Sequence, residues 1–193
     1  AVTDGINNSG LGKDAGFSTT TGNHNTFLGK DARNTNAGDS SSNVLGYNVS
    51  GTANYTTLGV GTADIRTANG STSWATVSDE RYKKDITTST AGLSFVNELR
   101  PVTWNYKTLG ELPTTFNAYE ADSTQVFKNT QTNHGFIAQE VKAVIDSHSE
   151  IKDGFRLWDD RDDGSQEVAE AALIPVLVKA IQELTARLEI LEG

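Results

Sequence analysis

Ser78, Lys83 and Lys84 are the residues of this chain whose types and spacing could do covalent chemistry. They lie in the run Ser78-Asp79-Glu80-Arg81-Tyr82-Lys83-Lys84-Asp85-Ile86. A free serine hydroxyl is a poor nucleophile and needs a base within hydrogen-bond reach. A lysine amine serves as that base only when neutral, which requires desolvation or nearby positive charge. Lys84 and Arg81 flank Lys83 and favour the neutral amine, whereas Asp79, Glu80 and Asp85 oppose it unless they pair elsewhere. On residue chemistry alone the run reads as a charged linker with a capping serine.

The run stands at a sharp change of composition. Gly, Asn, Ser and Thr fill 43 of the first 77 positions, while residues 78–193 have the composition of an ordinary folded domain. This predicts two segments, 1–77 and 78–193. Of the net charge of −9, nearly all falls in the second segment, with twelve Lys and Arg against twenty Asp and Glu. Phosphate neutralisation needs clustered cations, so nucleic acid is not an expected partner. The chain has no cysteine, which excludes disulfides and thiolate metal sites. No apolar run is long enough to insert in a membrane, and Ala1-Val2-Thr3-Asp4 does not read as a signal peptide.

The first segment repeats itself. Leu11-Gly12-Lys13-Asp14-Ala15, Leu28-Gly29-Lys30-Asp31-Ala32, Leu45-Gly46-Tyr47-Asn48-Val49 and Leu58-Gly59-Val60-Gly61-Thr62 recur at spacings of 17, 17 and 13. One unit cannot bury enough apolar surface to offset its ordering entropy. Stacked units, or units of three chains wound together, can share a thin apolar stripe. The units resemble the short β-roll or β-prism repeats of trimeric fibres and adhesins, so obligate trimerisation is preferred over a single-chain solenoid. A flexible linker is the bland alternative, but a linker does not repeat a leucine in register. His24, alone in a polar loop, reads as a surface residue.

Ser71–Val77 around Trp74, at the end of the first segment, predicts the last strand of the shaft; in the second, Thr87-Thr88-Ser89-Thr90 offers capping hydroxyls for a short helix within 91–99, with apolar positions 93, 95, 96 and 99. Arg100-Pro101 stops that helix before a strand over 102–106. Residues 107–132 read as a surface excursion with a strand near Gln125-Val126-Phe127. A strand then leads into a helix over 134–145, followed by short strands at Ile151 and at 155–158. Asp159-Asp160-Arg161-Asp162-Asp163-Gly164 lacks the ligand alternation of a calcium loop and reads as an exposed turn, so no metal or cofactor is expected. Ile174, Leu177, Ile181, Leu184, Leu188 and Leu191 form an a/d seam at spacings 3, 4, 3, 4, 3, with Pro175 at its start. The seam does not fix a strand number, and the fibre repeat upstream selects three.

Four ordered stretches resemble the intramolecular chaperone that ends phage tailspikes and tail fibres, the endosialidase C-terminal chaperone or peptidase family S74. They are the Ser78 run; Leu99-Arg100-Pro101-Val102-Thr103-Trp104; Gly135-Phe136-Ile137-Ala138-Gln139-Glu140-Val141; and Leu173-Ile174-Pro175-Val176-Leu177-Val178-Lys179-Ala180-Ile181-Gln182-Glu183-Leu184. Tyr82 stands where the family more often has leucine. The resemblance implies a C-terminal α+β domain ending in a long helix, three of which form a trimeric coiled coil. It implies a Ser78–Lys83 dyad, with Lys84 the weaker alternative, and a single self-cleavage that frees the fibre upstream, the folding client. The mature fibre would sit in the virion after folding in the host cytoplasm, and would contact a host-surface glycan or protein. The bond stays open. Attack through a five-membered ring would break Val77–Ser78, whereas the family pattern implies Ser78–Asp79. The rival readings are a fibre whose serine is inactive, and an adhesin tip with Trp104 or Trp158 as sugar platforms.

Overall fold

The computed structural model describes residues 4–151 and 155–193. It divides into two compact units, Ala1–Ile86 and Thr87–Gly193. The Ser78 run therefore ends the first unit in space.

The first unit is a stack of rungs built by one chain. Strands β1 (Ser9–Leu11), β2 (Thr26–Leu28), β4 (Asn43–Tyr47) and β6 (Tyr55–Val60) pair in parallel, with Leu11, Leu28, Leu45 and Leu58 mutually in register. A second short parallel ladder joins β3 (Arg33–Asn34) to β5 (Ser50–Gly51). The 17-residue repeat is thus one turn of a β-solenoid. This corrects the expectation that ranked a single-chain solenoid below chains wound together. Each chain buries its own inner residues, Phe27, Ala32, Val44 and Val49.

Two features of the repeat make such thin rungs viable. Much of the interior is polar and satisfied from rung to rung. The Asn25 amide N–H donates to Asn8 Oδ1 (3.0 Å), and Ser42 N–H donates to Asn25 Oδ1 (2.9 Å). Asn25 and Asn34 side chains both donate to the Asp39 carbonyl. Buried polar groups paired in this way avoid the desolvation penalty that would otherwise unfold them. The corners also repeat, because Asp14, Asp31 and Asn48 all adopt left-handed φ of 51–57°, as do Asn7, His24 and Ser41 at 57–59°. Asp and Asn tolerate that region well. Gly46 is obligatory at its position. Its φ is +133°, and a Cβ there would lie 1.8 Å from the Gly59 carbonyl oxygen on the next rung.

The stack closes with a change of direction. β7 (Ala63–Ala68) runs antiparallel to β6, and Ala75 bridges back to Arg66. The last shaft strand expected over 71–77 is reduced to that one bridge.

The second unit is α+β. Helices α1 (Leu93–Glu98), α2 (Ala138–Ser147) and α3 (Ile174–Glu192) enclose a core of Ala91, Phe95, Val141, Ile145, Leu157, Leu173 and Val176. Hairpin β8 (Val102–Trp104) with β9 (Asn133–Gly135) spans the 107–132 excursion, and β10 (Trp158–Asp160) pairs with β11 (Gln166–Val168). Three expectations shift. Ile151 lies in a turn, the 155–158 strand begins only at Trp158, and the strand at 125–127 is the single bridge Thr108–Val126. The acidic run forms the β10–β11 turn. Asp163 accepts from the Ser165 hydroxyl and amide and from the Asn117 N–H, which lowers its pKa to about 2 and ties the excursion to the hairpin. No helix among the described residues is long and apolar enough to cross a membrane.

Candidate functional site

The Ser78 site is built by a single 3-10 turn over Glu80–Tyr82. Asp79 caps it, accepting the Arg81 backbone N–H at 2.9 Å, and Lys83 closes it by donating its N–H to the Glu80 carbonyl. The turn folds the chain back on itself, so that a side chain five residues on reaches its start. Lys83 Nζ lies 2.8 Å from Ser78 Oγ. Lys83, rather than Lys84, is the lysine brought to the serine. Here the amine donates to the hydroxyl; for Lys83 to take the serine proton the donor must reverse, with Oγ–H donating to a neutral Nζ.

The acidic neighbours are sorted by the same turn. Arg81 grips Asp79 with two side-chain bonds, Nε to Oδ1 at 2.9 Å and Nη2 to Oδ2 at 2.7 Å. That guanidinium first, then the Arg81 backbone N–H and the charge of Lys83, hold the Asp79 carboxyl below its ordinary range. Asp79 in turn raises the Arg81 pKa. The aspartate next to the serine is therefore engaged by a fixed cation, and is not left to pair with the lysine. Ser78 and Lys83 are both exposed on the single chain. Val77 and Tyr82 line a cleft of about 450 Å³ with Arg33, Asn48, Asp64 and Thr76, all within the first unit. His24 is exposed in a left-handed corner, its ring 3.1 Å from the Asn7 amide.

The residues of the seam lie on α3, which has two apolar faces. One face is spent on the core of its own unit, where Val176 and Ala180 are each only 4% exposed. The other carries Ile174, Leu177, Ile181, Leu184, Leu188 and Leu191, every one of them exposed. Pro175 occupies the first turn of α3, where its missing N–H breaks no helical bond, so the helix starts there without a kink. Between these faces Glu183 does a task that sequence reasoning assigned to Thr87-Thr88-Ser89-Thr90. Its Oε2 accepts the Leu93 N–H at 2.9 Å and so caps α1 from ninety residues away. That N–H, then Lys179, lowers the Glu183 pKa. No local signal marks a cap supplied from so far along the chain.

Neither tryptophan proposed as a sugar platform is free. Trp158 donates its indole N–H to Gln166 and lies under Lys142, and Trp104 meets Tyr106 edge-on, both rings half-buried. Among the described residues no cluster of three or more His, Asp or Glu has the arrangement of a metal site.

The first unit is a β-solenoid-like stack that ends in an exposed serine–lysine pair, and the second is an α+β unit that ends in a long two-faced helix. Residues 78–149 match the family described as the chaperone of endosialidase, peptidase S74, a likeness that supports an intramolecular chaperone in that stretch. The match begins at Ser78 itself, covers a little over a third of the chain, and stops before α3. No curated protein and no solved structure matches the chain.

Proposed function

We propose that this chain is the C-terminal part of a phage tail fibre or tailspike whose chaperone domain assembles three chains, templates the β-stack ahead of it and then releases itself by cutting at Ser78. The observation that carries the reading is the 2.8 Å approach of Lys83 Nζ to Ser78 Oγ at the first residue of the family match. The seam on α3 supports assembly, since an exposed a/d row on a helix already anchored by its other face has no use within the chain. Association of the chaperone units raises the effective concentration of the three shafts to the millimolar range.

Exposure of the pair on the single chain makes assembly the step that arms it. Desolvation by neighbouring chains favours the neutral amine. Cleavage of Ser78–Asp79 is the preferred bond, with Val77–Ser78 the alternative. Losing the domain afterwards removes the route by which the shaft folded, which traps it kinetically.

Intact mass of the purified chain tests this. Wild type is expected as two fragments, whereas Ser78→Ala and Lys83→Ala remain whole and still trimerise by light scattering. Sequencing the new N-terminus decides the bond. Normal cleavage in either variant refutes the dyad, and an uncut wild-type trimer leaves a fibre with an inactive serine. Leu184→Asp places three carboxylates together at one layer of the seam and is expected to abolish both trimer and cleavage.

A further inference from the structure

The main sheet of the first unit carries an apolar column, exposed at Leu11, Leu28 and Ile65 and half-buried at Leu45 and Leu58. Along the main sheet Phe27, Val44 and Thr57 are buried, so their neighbours Leu28, Leu45 and Leu58 point the other way, outward. In-register pairing lines these up with Leu11 and, through the antiparallel β7, with Ile65. The result is a column of five large aliphatic side chains, one per strand, about 19 Å long at the usual strand spacing. Leu11 is 72% exposed, Leu28 44% and Ile65 43%. A continuous apolar column is the form of a docking surface rather than of scattered surface leucines.

The borders of the column say what fits it. On one side runs the uncharged row Ser9, Thr26, Asn43 and Thr56. On the other, Lys13 and Lys30 are each neutralised by the next residue, Asp14 at 3.1 Å and Asp31 at 3.5 Å. A partner selected by charge finds nothing to read on this face. A copy of the same face meets no repulsion there, although the chain as a whole carries −9. An aliphatic group at every strand spacing also matches a partner with the same spacing, which is another such stack. The geometry points to a second copy of this chain as the occupant: complete solenoids lie side by side and share their leucine columns, rather than interweaving their rungs. This deepens the assembly reading above and rests on it, naming the surface by which the shafts meet.

The absence of cysteine makes the test clean. In the full chain carrying Ser78→Ala, Leu28→Cys places one thiol on the column, and Asn36→Cys places one on an exposed loop outside it. Disulfide formation requires Cβ atoms within about 4.5 Å. Mild oxidation is expected to link Leu28→Cys chains as disulfide dimers in most of the assembled protein, and to leave Asn36→Cys unlinked. A trimer in which Leu28→Cys fails to link, or links no faster than Asn36→Cys, overturns the shared column and leaves assembly through α3 standing. A monomeric chain by light scattering overturns assembly and the column together. Circular dichroism of both variants, unchanged from the parent, confirms that the stack is intact.

Discussion

Truncating Phe95 is expected to dismantle the second unit. The ring is fully buried on α1 and is met edge-on by His148 at 5.3 Å and by Phe155 at 5.7 Å. It therefore joins α1, the end of α2 and the segment entering β10 in one contact. Phe-to-Ala changes in cores cost about 3–5 kcal/mol. Two edge-on pairs, each worth about 0.5–1.5 kcal/mol beyond area, put this site in the upper half, at about 4 kcal/mol. Phe95→Leu keeps most of the volume and loses the ring pairs, for about 1–2 kcal/mol. With a urea slope of about 1.5 kcal/mol/M, the midpoint falls by about 2.7 M for alanine and by about 1 M for leucine. Tryptophan fluorescence reads this through Trp104 and Trp158, once Trp74→Phe has removed the shaft signal. Protomer concentration is held fixed, because association adds to apparent stability. An alanine variant within about 1 kcal/mol of its parent, or a leucine variant worse than alanine, refutes the placement of Phe95 at the centre of this core.

Three further outcomes follow from the geometry. His148 lies between Glu150 (Nδ1, 2.9 Å) and Glu98 (Nε2, 3.2 Å), and Glu150 foremost raises its pKa despite burial, because only the imidazolium can donate to both. Its contribution is complete below the ordinary histidine pKa of about 6.5 and is lost as pH rises through the higher folded value, so thermal melts are expected to show a more stable second unit at pH 6 than at pH 9, and His148→Gln to remove that difference. Gly46→Ala places a methyl group against the Gly59 carbonyl at a φ alanine rarely adopts, and is expected to leave the first unit protease-sensitive while the second still melts cooperatively. Arg81→Ala frees the Asp79 carboxylate to pair with Lys83, so the proposed self-cleavage is expected to slow; unchanged cleavage removes Arg81 from the mechanism.

Features written in local periodicity were legible from the residues alone. The a/d spacing located α3, Pro175 marked its start, and the leucine–glycine repeat located the rungs. The way the rungs are buried was misjudged, because counting large apolar residues undervalues an interior filled by Asn25, Asn34, Thr19 and Ser42. The corner residues at 17-residue spacing, Asp14, Asp31 and Asn48, were the missed signal for a single-chain stack. Contacts between distant parts of the chain were not readable at all. Glu183 capping α1 is one example, and Asp163 holding the Asn117 loop is another. The five-residue offset of Lys83 from Ser78 was visible, but its meaning depends on a 3-10 turn that only geometry supplies.

The antiparallel return of β7 has a consequence for the proposed cleavage. A parallel stack left open would present a raw strand edge, a template for uncontrolled pairing. Here the edge is turned and crossed by the Arg66–Ala75 bridge before the chain reaches Ser78. Among the described residues, none from Ser78 to Ile86 makes a hydrogen bond or ion pair to residues 4–77. The shaft is thus hemmed ahead of its own border. A cut there, as proposed, would expose no ladder and release no strand of the first unit.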